Sequence, residues 1–190
     1  MINFSINAPQ TNTDAEMLDQ YIFSIARGDR SSLGALYEAT KAAIYGFALS
    51  IVKNQVDAED ILQDVYVKIY GGAQSYKSKG KPMAWMLTIT RNLALMKIRD
   101  QKKALLMSSE EMSNIHQPTV TDEDRMVLQA ILGELKDEER YIVVLHSLTG
   151  LKHREIATLL ELPISTVLSK YNRAIKKLRN ILKEEELNGG

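Results

Sequence analysis

KHREIATLLELPISTVLSKYNRAIKKLRNIL, residues 152–182, reads as two short helices joined by a tight turn. In the first, over 152–160, Ile156, Ala157 and Leu160 fall on one face. Glu161-Leu162-Pro163 makes the turn, and Pro163 bars continuation of the first helix. The second helix opens near Ile164 or Ser165, where Ser165 or Thr166 can satisfy free backbone N–H groups. Val167, Tyr171, Ala174 and Leu178 form its apolar stripe, and Ala157 and Ala174 are small enough to let the two helices approach. Across from that stripe stand Thr166, Ser169, Lys170, Arg173, Lys176 and Lys177, at steps of three and four. A helix that opens with hydroxyls and continues with cations suits a DNA major groove: the former reach base edges and the latter hold phosphates. The competing reading is a helical hairpin with a solvated basic exterior.

The pattern is helical elsewhere too. Met17, Leu18, Tyr21, Ile22 and Ile25 recur at helical steps from Asp14 to Gly28. A second helix follows Ser31 or Ser32 as N-cap, carrying Leu33, Leu36, Tyr37, Ile44, Phe47, Ala48 and Ile51. A third begins near Asp57 and carries Ile61, Leu62, Val65, Tyr66 and Ile69 as far as Gly71-Gly72. After a polar loop over 73–81, a fourth starts at Pro82, where a first-turn proline is tolerated, and presents Trp85, Ile89, Leu93 and Met96. No period-two run suggests a strand. The expected fold is all-α, with two small helical domains over 14–103 and 122–183. Between them lies a polar linker, 104–121, able to extend to ~60 Å at ~3.3 Å per residue. Residues 1–13 and the acidic 184–190 read as loose tails. The helices expected in the second domain are 122–133, 137–148, 152–160 and 164–183.

The formal charge is zero, 24 basic against 24 acidic residues, but the distribution is uneven. Lys68–Lys103 holds nine basic residues against the single acid Asp100, and Ile164–Lys183 holds six against none. Two basic stretches, one per domain, suit a polyanion, since neutralising phosphates releases counterions. The chain has no Cys, which excludes a disulfide scaffold, a Cys-ligated zinc site and a thiol nucleophile. No apolar run reaches the ~20 residues that span a bilayer, and the start MINFSINAPQ lacks signal-peptide character. The expectation is a cytoplasmic protein without membrane insertion. No Ser/His/Asp array, phosphate loop or ligand cluster suggests an enzyme, and no cofactor is expected. Asp60 and Asp64 share a helix face, but His116, His146 and His153 are scattered, so no metal site is expected.

At this point the sequence resembles the bacterial sigma factors of the sigma-70 family. The motifs are Glu155-Ile156-Ala157, Leu160-Glu161-Leu162-Pro163, Thr166-Val167 and Arg173-Ala174 for the family's fourth conserved region. DAEDILQDVYVKIY (57–70) and AWMLTITRNLALMKIRDQKK (84–103) resemble its second region. Two regions in this order without a third between them match the small extracytoplasmic-function (group IV) type. Four departures stand out: Glu161 where the turn usually has Gly, Leu168 and Lys170 within the recognition helix, and Met96 where an acid is common.

The resemblance implies a promoter-specificity subunit of RNA polymerase. Asp57, Asp60, Gln63, Asp64 and Lys68, on the outward face of helix 57–70, would dock on a coiled coil of the polymerase's largest subunit. Asp57 also suits a helix N-terminus, whereas Asp64 lies too far along for that role. Stretch 73–99 would hold the minus-ten element, through Tyr76, Lys79 and Lys81 of the loop and Thr88, Arg91, Asn92, Lys97 and Arg99 of the next helix. Tyr76 with the loop lysines would pocket a flipped base. Trp85 reads as a core anchor ahead of a stacking platform. Ser165, Thr166, Ser169, Lys170, Arg173, Lys176 and Lys177 would meet the minus-thirty-five element. Arg140 has two readings, a phosphate contact or a partner for a nearby acid. The second domain would also seat the flap of the second-largest subunit, and an anti-sigma factor would hold the chain inactive between its halves. Two rivals remain: an ordinary helix-turn-helix regulator, which leaves 57–70 and 77–103 without a role, and a partner-binding protein with a vestigial DNA face.

Overall fold

A computed structural model describes residues 12–107 and 132–188. The elements are α1 (Asn12–Ala26), α2 (Arg30–Val52), α3 (Gln55–Gly72), a 3-10 turn (Ala73–Ser75), α4 (Pro82–Met107), α5 (Asp137–Thr149), α6 (His153–Leu160) and α7 (Ile164–Asn188). No strand occurs among the described residues. The expected linker from residue 108 on, the expected helix 122–133 up to residue 131, and residues 1–11 and 189–190 lie outside the described residues.

Two helix starts differ from the sequence expectation. The N-cap of α2 is Asp29, ahead of Ser31 and Ser32. Its carboxylate accepts the Ser31 N–H at 2.9 Å and the hydroxyls of Ser31 and Ser32, each at 2.7 Å. Those bonds, the Ser32 hydroxyl foremost, hold the Asp29 carboxyl down at about 2. A carboxylate outcompetes a hydroxyl for the cap because it also answers the helix dipole. In α3, Asn54 caps by accepting the Asp57 N–H at 3.0 Å, so the helix opens at Gln55.

Helix α2 is the axis of the first domain. Its Leu36, Ile44, Phe47 and Ile51 are buried with Ile61, Val65 and Ile69 of α3 and Met86, Leu87 and Ala94 of α4. Two polar pairs fix the register of the surrounding elements. Thr40 Oγ1 and Tyr66 Oη lie 2.7 Å apart in the interior, and burial raises the Tyr66 phenol above its ordinary range. Tyr76 donates its hydroxyl to Asp19 at 2.5 Å, tying the loop after α3 to α1, and the Ser78 hydroxyl donates to the other oxygen of Asp19.

In the second domain Ile142 and Leu145 of α5, Ile156 of α6 and Val167 of α7 are fully buried. Ala174 of α7 packs with Leu135 and Val143, where a larger side chain would hold the helices apart. The two domains share one continuous apolar core, built where α2 meets α5. Phe47 meets Tyr141 edge-on at 6.4 Å. Gly46 lies so close to α5 that a Cβ placed on it would overlap Leu148 Cδ1. A glycine inside a helix costs about 1 kcal/mol relative to Ala, and the approach of Leu148 is the reason that residue fits here. Lys53, which ends α2 in the left-handed conformation (φ 58°), forms an ion pair with Asp137 at 2.9 Å.

Candidate functional site

The helix-turn-helix is built by α6, α7 and the turn between them. The backbone N–H of Lys152 donates to Glu155 Oε2 at 3.0 Å, securing the start of α6. Glu161 ends it in the left-handed conformation at φ 58°, and the Leu162 N–H returns to the Ala157 carbonyl at 2.9 Å. That is the conformation a C-cap glycine normally supplies, so the departure at Glu161 changes the residue and keeps the turn. The entry to α6 is braced by stacked rings. His146 and His153 lie 4.7 Å apart and 22° from parallel, and Tyr171 meets both edge-on. Burial, then the neighbouring His146, lowers the His153 pKa.

On α7, Ser165, Leu168, Ser169, Asn172, Arg173, Lys176 and Lys177 are exposed, while Thr166 and Lys170 are half-buried. Three cations of the helix meet carboxylates of the same domain. Lys170 pairs with Glu138 at 2.8 Å, Arg173 with Glu139 at 3.3 Å and Lys177 with Glu134 at 3.7 Å. Arg140 is elsewhere. It is only 5% exposed, lies between the two domains, and donates to the carbonyls of Ser50 at 2.9 Å and Leu135 at 3.2 Å and to the Asp137 carboxylate at 2.5 Å. Of its two readings, the structure realises the acid pairing and turns the guanidinium away from solvent. Asp137 is held below the usual carboxylate range by Lys53 first and Arg140 next.

On α3, Gln63, Asp60, Asp64 and Lys68 are exposed, whereas Asp57 is half-buried against α4. Lys97 of α4 bridges Asp57 at 3.2 Å and Asp60 at 3.1 Å, and Gln101 donates to Asp57 at 2.8 Å. Asp60 and then Asp57 raise the Lys97 pKa, so this ammonium stays charged. The sequence reading missed the apolar members of this face. Val56, Asp60, Gln63, Val67 and Tyr70 follow one another at 4-3-4-3 steps, and Val67 is 69% exposed. That is the heptad spacing of helices that pack along one another, here with polar residues at two of the five positions. It was legible in the sequence, but solvent exposure of Val67 and Tyr70 was not.

Residues expected to serve one nucleic-acid face divide in the structure. Thr88, Asn92, Arg99 and Lys79 are exposed. Tyr76 is 9% exposed, and its ring meets Trp85 at 4.6 Å and Phe23 at 5.8 Å, tilted by about 50° to each. Its ring fills the domain, so Tyr76 does not line an open base pocket here, and Trp85 serves as an anchor. Lys81 and Arg91 reach the second domain, pairing with Glu155 at 3.2 Å and Glu161 at 3.3 Å. No cluster of three or more His, Asp or Glu residues with metal-binding arrangement occurs among the described residues, and none of their helices is long and apolar enough to cross a membrane.

A four-helix domain with an acid-flanked, partly apolar face on α3, followed by a helix-turn-helix, is the layout of a promoter-directing transcription regulator, a sigma factor. Comparison with known families agrees: residues 36–104 match sigma-70 region 2 and residues 125–178 match sigma-70 region 4. The chain belongs to the sigma-70 family, and its similarities place it in the extracytoplasmic-function group. It is 28% identical over 187 residues to an ECF RNA polymerase sigma factor SigK of Mycobacterium sp. (strain KMS), covering 93% of this chain and 95% of that one. The namesake from Mycobacterium tuberculosis (strain ATCC 25177 / H37Ra) is 23% identical over 186 residues, covering 92% and 96%. Among solved structures, the sigma factor RpoE of Bartonella quintana, in complex with the anti-sigma factor NepR, is 25% identical. It matches with a TM-score of 0.65 over 77% of this chain and 94% of that one. CnrH in complex with the cytosolic domain of CnrY shares the fold at 21% identity, with a TM-score of 0.64 over 89% and 99%.

Proposed function

We propose that this sigma factor docks on core RNA polymerase through α3, recognises and melts the minus-ten element with α4, and reads the minus-thirty-five element with α7. The observation that carries the reading is the coexistence of three exposed faces in family order. The Val56–Tyr70 seam, flanked by Asp60 and Asp64, fits a coiled coil carrying basic residues, with charge assisting encounter. Thr88, Asn92 and Arg99 offer base-edge and backbone contacts along α4. Ser165, Ser169, Arg173 and Lys176 offer the same along α7.

Engaging both promoter elements requires the domains to part. Minus-ten and minus-thirty-five sites are about 25 base pairs apart, ~85 Å of duplex at ~3.4 Å per step. A compact body of 190 residues has a radius of gyration of only about 16 Å. The closed arrangement also keeps Lys81 and Arg91, both expected at the minus-ten element, on Glu155 and Glu161 of the helix-turn-helix. An anti-sigma factor that favours this closed form, as a cytoplasmic regulator, would keep both DNA faces from acting together.

The test is to supply the purified chain and bacterial core polymerase with fragmented genomic DNA and map transcript starts. Discrete starts sharing two upstream elements are expected. Core binding without starts would support the vestigial reading instead, and absence of core binding would revive the plain regulator.

A further inference from the structure

The first six residues of α7 carry no charge: Ile164, Ser165, Thr166, Val167, Leu168 and Ser169 precede the first cation, Lys170. Val167 is fully buried, but Ile164 and Leu168, one helical turn apart, are 39% and 43% exposed. Both present apolar surface to solvent beside the buried stripe of the helix. Asn172 stands one turn beyond Leu168 and is exposed beside Ser169. Side chains on a helix lean back toward its N-terminus. Leu168 and Asn172 therefore project toward the end that a recognition helix inserts into the groove.

The two cations nearest this tip each meet a carboxylate of α5. Lys170 is turned to Glu138 at 2.8 Å and Arg173 to Glu139 at 3.3 Å, both on α5. Besides these, the tip presents two apolar branched side chains, Ile164 and Leu168, with hydroxyls and one carboxamide. In the major groove the T methyl is the apolar feature, and the adenine N6/N7 edge is the one that a carboxamide matches in two bonds. We infer that Leu168 and Asn172 are specificity-determining residues that read an A·T-containing step of the minus-thirty-five element, Leu168 by packing on a thymine methyl and Asn172 by bonding an adenine edge. The inference rests on the reading of α7 as the minus-thirty-five helix and adds the base chemistry it selects.

The experiment enriches binding sites for the full chain from a randomised duplex library. Each thymine of the enriched site is then replaced by deoxyuridine, which deletes only the C5 methyl, and each adenine by 7-deazaadenine, which deletes only N7. Affinities are measured by fluorescence anisotropy for the native chain, Leu168→Ala and Asn172→Ala. One thymine is expected to lose about fourfold on demethylation with the native chain, the value of one buried methyl, and nothing further with Leu168→Ala. One adenine is expected to lose roughly tenfold with the native chain and nothing further with Asn172→Ala. Both positions are exposed, so neither variant should disturb the fold, and unchanged thermal unfolding checks that. An enriched site whose thymines tolerate deoxyuridine, or whose methyl sensitivity survives Leu168→Ala, overturns the inference while leaving the minus-thirty-five reading standing. If no sequence is enriched at all, both fall together.

Discussion

Gly46 offers the sharpest test of the closed arrangement. Gly46→Leu adds a side chain where α2 and α5 already touch, against Leu148. Two effects oppose each other. Removing a glycine from a helix interior stabilises α2 by about 1 kcal/mol, and that gain belongs to the first domain whether or not the second is docked. Forcing extra volume into a packed contact costs about 1–3 kcal/mol, and that cost falls on the docked form alone. The ion pairs across the interface cannot absorb it: both Lys53 and Asp137 are more than half exposed, and exposed pairs are worth about 0–1 kcal/mol. The docking equilibrium should therefore shift toward the open form by roughly five- to hundredfold. Hydrogen exchange of the α5 amides through the undocked form, which scales with the open population, should quicken by the same factor, with helical circular dichroism unchanged. Gly46→Leu combined with Leu148→Ala should bring the exchange back toward the native rate, because the second change returns the space the first consumes. Unchanged exchange in the folded single variant, or no recovery in the double variant, would refute the role given to Gly46 in this approach.

Other outcomes follow from the same geometry. Glu161→Gly should raise the melting temperature by about 2–4 °C, since the left-handed turn costs a side-chain-bearing residue about 1–2 kcal/mol and the lost pair with Arg91 is largely solvated; a lower melting temperature would show that the pair matters more than the backbone. His153 has a folded pKa below its ordinary 6.5, so the unfolded chain takes up more protons there. Stability from this group is therefore present above pH 6.5 and lost as the pH falls below it, and chemical denaturation from pH 7.5 to 5.5 should show a steeper decline for the native chain than for His153→Gln. Val67→Asp, at the most exposed apolar position of the α3 seam, should weaken competition for core polymerase by roughly tenfold or more with unchanged unfolding. Equal competition would place the docking face elsewhere.

The helices and their order were legible because each carries an apolar stripe at helical period, from Leu36-Ile44-Phe47-Ile51 to Val167-Tyr171-Ala174-Leu178. The helix-turn-helix was legible for a second reason: Pro163 stops the first helix and the small Ala157 leaves room at the turn, whereas Ala174 serves the packing on Leu135 and Val143 instead. Caps were less so. Asp29, Ser31 and Ser32 are all good candidates locally, and the choice fell to the carboxylate that could accept from both serines at once.

Sequence by itself determined what is local: which segments are helices, which face of each is apolar, where the two basic stretches lie, and the order of the two regions. Only the tertiary structure decided how those faces are used. It buried Tyr76 on Asp19 and Arg140 on Ser50, paired Lys81 and Arg91 with Glu155 and Glu161, and left Val67, Leu168 and Asn172 at the surface. The physical reason is range. Helical period is set by neighbours three and four residues away, whereas burial and ion pairing depend on residues 57 or 90 positions distant, as in Tyr76–Asp19 and Arg140–Ser50, which only the packed core brings together.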